Sequence, residues 1–569
     1  MKAPLIFFAI ALVCAGIGWA TYVAATAPAV TPLSKYVPAG SLVYLETKDF
    51  SALLNDWISS PQKMQWLKSD NYQVFSHSRL FLRLKGASDQ FATAAGLPPD
   101  MNFLAQVAGE RSVLALYDIG NLQFLYITYL PSAKSTQTTL WQTRAKFEPR
   151  SVGDVNFYLR RDPESQREVA FAVAGDYLLL STREDLMAGA LQLMSGKQDR
   201  TVEGEQWWAQ STAAAGEAGD LRMVMNLEEL VPNGYFRTYW VQQNITDLKQ
   251  YSAAVSDLFR SSKQYREERV LIEREEPKTA LSHEALTAAA GLVRLVPSDA
   301  SWYEAAASPG TDASLTLLET KILAPRLGPA PPSQLAPQVQ LTSGEQGGGS
   351  DLESRIDQAP AERPATPQST SGLKELLDKT QLLASLQVQS SELDNPGVFV
   401  RIHSAVVLLA ASDWNQGAVQ AALTDFVRPG LTASQLGVGW QQKSGHQELD
   451  GLWPLMASVR GKYLLVSDDP ALTEAILANF NHKTDRKPAQ LLAGFNHAHE
   501  AANFTRFSRV VDRPSAIVAN GGNRTGEPQF FSGNMGSLSA TLAAVSGEKI
   551  EVRPEGDKVR QTVTYEWSE

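Results

Sequence analysis

His497-Ala498-His499-Glu500 is the densest run of metal-capable side chains in the 569-residue chain. A catalytic zinc site wants three protein ligands, and a helical histidine pair reaches one ion at i, i+4 spacing. These two histidines are only two positions apart. They would share a face on a strand and diverge by about 200° on a helix, so the run reads as polar surface. His77, His283, His403, His446 and His482 stand alone. Nucleophilic catalysis lacks its pattern too: no serine sits on a Gly-x-Ser-x-Gly elbow, and Gly533-Asn534-Met535-Gly536-Ser537 has small residues at the wrong spacing. The phosphate-cradling Gly-x-x-x-x-Gly-Lys and the dinucleotide-binding Gly-x-Gly-x-x-Gly are absent from the sequence, and Gly437-Val438-Gly439 breaks off at Trp440. The adjacent carboxylates Glu228-Glu229 and Glu267-Glu268 point to different sides of a helix or strand, which suits solvated surface better than shared acid–base work. The pattern therefore assigns no catalytic, cofactor-binding or metal-ligating residue, and it favours a non-catalytic role.

Aromatic residues offer binding rather than reaction. Trp207-Trp208, Tyr235-Phe236 with Tyr239-Trp240, and Trp440 with Trp453 could stack on sugars or peptide. The commoner fate of such side chains is the core of a β-rich domain, where they supply much of the apolar area.

The elements that would position these residues are read from periodicity. Ser112–Tyr117 and Leu122–Tyr129 are β-rich runs joined by Asp118-Ile119-Gly120-Asn121, a hairpin signal. Val398–His403 and Ala405–Ala410 are taken as their later counterparts. Ser181-Thr182-Arg183-Glu184 fits a capping box, and Asp469-Pro470 places a capping residue before a proline at the first helical position. Leu373, Leu376, Leu377, Leu383 and Leu386 lie at helical spacing. At the end of the chain Val559, Gln561, Val563 and Tyr565 alternate with Arg560, Thr562, Thr564 and Glu566, the signature of a half-buried strand.

Internal repeats say most about the architecture. Val173-Ala-Gly-Asp-Tyr-Leu-Leu-Leu-Ser181 matches Val459-Arg-Gly-Lys-Tyr-Leu-Leu-Val-Ser467, and at the same offset Leu186 meets Leu472 and Leu191 meets Leu477. Val37-Pro38 with Tyr44 matches Val296-Pro297 with Tyr303, and Arg266–Glu273 resembles Val559–Glu566. Three matches in one order indicate two divergent copies of an α+β unit with largely antiparallel sheets. The expected organisation is an N-terminal segment (1–30), a first copy (31–277), the start of a second (278–325), an insertion (326–372) and the remainder of the second (373–569). The insertion is rich in Pro, Gly, Ser and Gln, holds Gly347-Gly348-Gly349-Ser350 and has no aromatic residue. It buries too little to offset its ordering entropy, so disorder is expected there.

The first thirty residues suggest a location. Leu5–Ala25 carries no acidic or basic side chain and is about long enough to span a ~30 Å hydrocarbon core. Lys2 precedes it and the next basic residue is Lys35, which places the amino terminus in the cytoplasm and the bulk outside. Val23-Ala24-Ala25 also offers small residues to a signal peptidase. Val13 before Cys14 argues against a lipobox, and Cys14 is the single cysteine, so disulfides are not expected outside the membrane. The formal charge is −10 and the pI about 5.4, with no basic patch interleaved with aromatics. Nucleic acid is not an expected partner, and the acidic balance argues against docking on anionic headgroups.

The opening Val-Pro-Ala-Gly-Ser-Leu-Val-Tyr-Leu-Glu at 37–46, the duplicated Gly-x-Tyr-Leu-Leu-x-Ser and the apolar N-terminal segment together resemble a family of uncharacterised exported or membrane-anchored bacterial proteins with a domain of unknown function. The resemblance implies an envelope location and brings no functional residues with it. The expectation is a non-catalytic cell-envelope protein, held in the inner membrane through Leu5–Ala25 with an extracytoplasmic or periplasmic bulk, or secreted if that segment is cleaved. It would bind or scaffold another envelope protein. The alternatives are a periplasmic ligand-binding protein with a cleft between the repeats, and a hydrolase whose site forms only in the fold.

Overall fold

The structure, a computed structural model, describes residues 31–567 except 61–62, 65–66, 69–71, 73–75, 78, 98–101, 235, 237–247, 275–280, 324–370, 394–399, 432–438, 444, 450–453 and 501–544. The described residues divide into two compact units, one drawn from 31–52 and 86–209 and the other from 53–85 and 210–567. Both are α+β with antiparallel sheets. Among the described residues no helix is long and apolar enough to cross a membrane; Leu5–Ala25 lies outside them. Of the insertion 326–372, only 371–372 are described, and they begin a helix.

The first unit holds β1 (Val43–Thr47), β2 (Ser112–Asp118), β3 (Gln123–Tyr129), β4 (Glu148–Val152), β5 (Val155–Arg161), β6 (Glu168–Ala174) and β7 (Tyr177–Ser181). They pair in the order β1-β2-β3-β7-β6-β5-β4. The β2–β3 hairpin turns where expected, with Asp118 accepting from the Asn121 backbone N–H at 3.1 Å and from its side-chain amide at 2.8 Å. Helices α1 (Phe50–Ser59) and α2 (Arg79–Ala95) lead across the division between the units, and α3 (Glu184–Met194) follows β7. Leu186, Met187, Ala190 and Leu191 of α3 are buried, the i, i+3, i+4 pattern of a helix face on a core. Its start differs from the expected capping box. Arg183 is the N-cap and makes no side-chain cap bond. Instead the Glu168 carboxylate, from β6, accepts the Glu184 N–H at 3.0 Å, so a tertiary contact replaces the local one.

The second unit holds β8 (Leu221–Asn226), β9 (Tyr251–Arg260), β10 (Gln264–Glu273), β11 (Trp302–Ala307), β12 (Leu382–Leu393), β13 (Val400–Ala410), β14 (Trp440–Gln442), β15 (Gln447–Leu449), β16 (Leu455–Arg460), β17 (Tyr463–Ser467), β18 (Leu491–Phe495), β19 (Val545–Pro554) and β20 (Lys558–Trp567). Their order is β8-β9-β10-β20-β19-β18-β11-β12-β13-β17-β16-β15-β14. Its helices include α4 (His283–Leu292), α5 (Thr311–Leu318), α6 (Ser371–Asp378), α7 (Gln416–Leu431) and α8 (Pro470–Ala478). Ala285, Ala289 and Leu292 of α4 pack on one face of the sheet with Ala305, Leu386, Val407 and Leu492. Leu373 and Leu377 of α6 and Leu423 and Phe426 of α7 pack on the other face with Val406, Leu408, Leu464 and Val466.

This double cover corrects two readings of the sequence. Val398–His403 and Ala405–Ala410 are not two strands: 398–399 lie outside the described residues, and the rest is the single strand β13. Ala405, Val407 and Leu409 serve one core while Val406, Leu408 and Ala410 serve the other, so a strand buried on both sides loses its alternation. The true partner of β13 in the hairpin is β12. The leucine series from Leu373 is also divided: α6 ends at Asp378, and Leu383 and Leu386 lie in β12, where both are buried. Two local expectations hold. Asp469 caps α8 by accepting the Leu472 N–H at 2.6 Å, with Pro470 at the first turn. In β20, Val559 and Val563 are buried.

The repeated Gly-x-Tyr-Leu-Leu-x-Ser has a local explanation in each unit. Gly175 and Gly461 both have φ of +57° and open the two-residue turns between β6 and β7 and between β16 and β17; a glycine at the first turn position is what such a hairpin requires. Ser181 and Ser467 are fully buried. Ser181 Oγ lies 3.1 Å from the Phe124 carbonyl and accepts the Arg183 N–H at 3.1 Å. Ser467 Oγ lies 3.1 Å from the Ser404 carbonyl and accepts the Asp469 N–H at 3.2 Å. Each hydroxyl ties the exit of its strand to the neighbouring strand and sets the start of the following helix.

Candidate functional site

Cross-strand register gathers half-buried polar and aromatic side chains on one face of the second unit's sheet. Trp302 of β11 stands opposite Phe495 of β18, Phe495 opposite Glu548 of β19, Glu548 opposite Tyr565 of β20, and Tyr565 opposite Tyr265 of β10. Directly opposed residues in antiparallel strands share a face, so the five form one row. With strands about 4.8 Å apart, Trp302 to Tyr265 spans roughly 19 Å. Trp567, two residues beyond Tyr565, packs edge-on against Tyr265 at 5.0 Å, and its indole N–H has no hydrogen-bond partner among the described residues.

His497 joins this row. Residues 497–500 are helical, with Asn496 Oδ1 accepting the His499 N–H at 3.1 Å. The His497 ring sits edge-on to Phe495 at 4.5 Å, and its Nε2 is 3.5 Å from Glu548 Oε2. The helical turn sends His499 elsewhere, its Nε2 lying 3.3 Å from the Ser391 carbonyl. Glu500, nearly buried, accepts from the Ser391 hydroxyl, which in turn is 3.2 Å from Ser301 Oγ. The two histidines therefore do not converge, and the described residues contain no group of three metal-capable side chains. Serine, histidine and glutamate are neighbours here, yet His499 reaches a carbonyl rather than the hydroxyl that a general base would have to meet.

A second row beside the first carries Gln387, Glu304, Ala493, Ile550, Val563 and Glu267. Burial holds the Glu304 carboxyl above its ordinary range, opposed by nearby Lys321. Burial pushes Glu267 the same way, but hydrogen bonds from Arg269 and Ser256 outweigh it and leave the carboxyl lowered. Tyr565 is raised by burial and by Glu548. Gln387 is 6% exposed and its amide nitrogen has no partner among the described residues. A carboxyl raised by burial helps the fold only while protonated; that help is present below the ordinary value of 4.5 and lost as pH climbs through the raised value. Glu304→Gln keeps the shape and removes the charge, so it is expected to raise the melting temperature at pH 7.5, with the gain vanishing by pH 4. A gain that is equal at both pH values would contradict the assignment.

The repeated tyrosines sit in arginine–aromatic clusters rather than in this row. Tyr177 meets Tyr36 and Tyr129 edge-on at 5.7 and 5.8 Å, and burial first, then Tyr36, raises its hydroxyl while a hydrogen bond from Arg111 lowers it. Tyr463 meets Phe480 at 5.2 Å and accepts from Arg294 at 3.2 Å. Of the aromatic pairs noticed in the sequence, Trp207 donates to Glu205 at 3.0 Å, Trp208 packs edge-on against the buried Tyr44 at 6.0 Å, and Trp440 donates to Thr424 Oγ1 at 2.9 Å beside a core. Phe236 is buried. Tyr235, Tyr239, Trp240, Trp453 and Gly533–Ser537 lie outside the described residues. The row itself was missed because its members come from four separate stretches of chain, and only strand register shows that they share a face.

Comparison with known proteins finds no matching family model and no matching curated protein. Among solved structures, crystal forms I and III of the spirochete protein TP0453 are 11% and 12% identical, each with a TM-score of 0.24. They cover 44% and 45% of this chain and 82% and 83% of theirs. A likeness of that size says nothing about what this chain does.

Proposed function

We propose that the chain is a non-catalytic, membrane-tethered cell-envelope protein built from two divergent copies of one α+β unit, and that it binds or scaffolds another envelope component. Topology supports the duplication. The run β2-β3-β7-β6-β5-β4 has the same connectivity as β12-β13-β17-β16-β15-β14, and the glycine turns and buried serines described above recur at equivalent places. Within the second unit β8-β9-β10 meets β20-β19-β18 in reverse order, with β10 and β20 antiparallel. Two equivalent strands paired antiparallel are what a two-fold relation produces.

The observation that carries the binding role is the row Trp302, Phe495, Tyr565 and Tyr265 with Glu548 and His497. Aromatic faces fixed on rigid strands, with hydrogen-bonding groups between them, suit an extended peptide or glycan lying across the strands. A photo-crosslinking side chain placed at Tyr265 or Trp302 is expected to give one dominant adduct in intact cells, and the same group at exposed Asp485 none. Equal labelling at all three positions, or none, would remove the row as the binding surface. Absence of adducts together with a rise in melting temperature on adding a small molecule would replace scaffolding by ligand capture.

A further inference from the structure

Large apolar side chains stand in solvent at Trp57 (52% exposed), Ile58, Met64, Leu67, Leu82 (55% exposed) and Leu84. They occupy the end of α1, the helical residues that follow it and the start of α2. Apolar side chains exposed this densely over a short stretch mark a surface that meets something other than water. The local charge is the second observation. Between 57 and 85 the sequence carries Lys63, Lys68, Arg79, Arg83 and Lys85 against Asp70 alone, in a chain of formal charge −10. Asp56, just before the stretch, is engaged by Arg260 at 3.2 Å. Lys68 and Lys85 are exposed beside the apolar residues.

We infer that these residues are a membrane-surface docking element that seats on an anionic lipid bilayer. Apolar side chains flanked by lysine and arginine on short helices are the composition that inserts shallowly at the headgroup boundary, each basic residue adding attraction to an anionic surface. A second copy of the chain fits poorly, because two such elements would meet positive against positive. A rigid protein groove also fits poorly, because Leu82 and Leu84 project about 200° apart on one helix, whereas a helix end sunk in a fluid interface buries both. The inference rests on the proposed membrane tether, which keeps a bilayer within reach. It also restricts the argument from overall acidity: the net charge disfavours anionic lipid, but this stretch has the opposite sign.

The test uses the full chain with Cys14→Ser and one new cysteine, Leu67→Cys or, as control, Asp485→Cys, carrying an environment-sensitive fluorophore. In phosphatidylglycerol-rich vesicles, headgroup spin labels are expected to quench the probe at 67 and not the probe at 485. The triple substitution Lys63→Glu, Lys68→Glu, Lys85→Glu should lower that quenching at least about tenfold, and pure phosphatidylcholine should lower it similarly. Quenching at 67 no greater than at 485, or unchanged by charge reversal, would overturn the inference. Excimer emission from a pyrene at 67 would assign the surface to a second copy instead. Retention of the chain after a carbonate wash is scored separately. A chain that washes off refutes the tether, and the same labelled chain added to vesicles from outside still decides the docking element.

Discussion

Replacing Asp257 by alanine is expected to destabilise the second unit by about 3–5 kcal/mol, the usual consequence of stranding one member of a buried ion pair. Asp257 is on β9 opposite Arg222 of β8, and the two side chains are only 4% and 13% exposed. The guanidinium grips both carboxylate oxygens, at 2.7 and 2.8 Å, and the Gly219 N–H adds a third donor at 3.0 Å. Alanine leaves Arg222 charged, shielded from water and facing a void. Chemical denaturation should show the loss as a lower midpoint at unchanged slope. The pair is not expected to be worth that much as a pair: Arg222→Met with Asp257→Leu removes both charges and should recover most of the stability. If the double variant is as unstable as Asp257→Ala, the packing around β8 and β9 is at fault and the charge argument fails.

Asp257 also shows where reading from sequence stops. Nothing in Ser256-Asp257-Leu258 distinguishes a buried ion pair from a solvated strand residue, because its partner lies thirty-five residues earlier and is fixed by strand register. Features encoded within a few residues were legible. The β2–β3 hairpin, the Asp469 cap, the alternation of β20 and the Gly175 and Gly461 turns all follow from local chemistry. Features that depend on what covers an element were not. The run at 400–410 reads as two strands because its alternation is erased by a helix layer on each face, and Leu383 and Leu386 imitate a helix because β12 is buried on both sides as well. The capping box at Ser181 failed for a related reason: Glu168 arrives from another strand and satisfies the N–H that the local motif would have taken. The row across the second unit's sheet is the extreme case. Each of Trp302, Phe495, Tyr565 and Tyr265 is unremarkable in its own stretch, and only the order of β11, β18, β19, β20 and β10 turns them into one surface.

Each unit has its own core, and that separation makes a last expectation decisive. Phe171 is fully buried at the centre of the first unit, stacked on Tyr158 at 5.2 Å and edge-on to Phe147 at 5.0 Å, with Trp141 also edge-on to it. Phe171→Ala removes the shared neighbour of all three rings, and neither backbone of β5 or β7 can move in to fill the space. A loss of about 3–5 kcal/mol is expected. Phe426 plays the same part in the second unit, 1% exposed between α7 and the sheet, and Phe426→Ala should cost a similar amount. Hydrogen exchange followed by mass spectrometry separates the two. After Phe171→Ala, peptides covering β6 and β7 should lose protection while those covering β13 and β17 keep it, and Phe426→Ala should do the reverse. Equal loss in both units from either change would mean that they unfold as one cooperative body. Selective loss would mean that the two units can be weakened one at a time, so that a core change in the first unit leaves the row carried by the second intact.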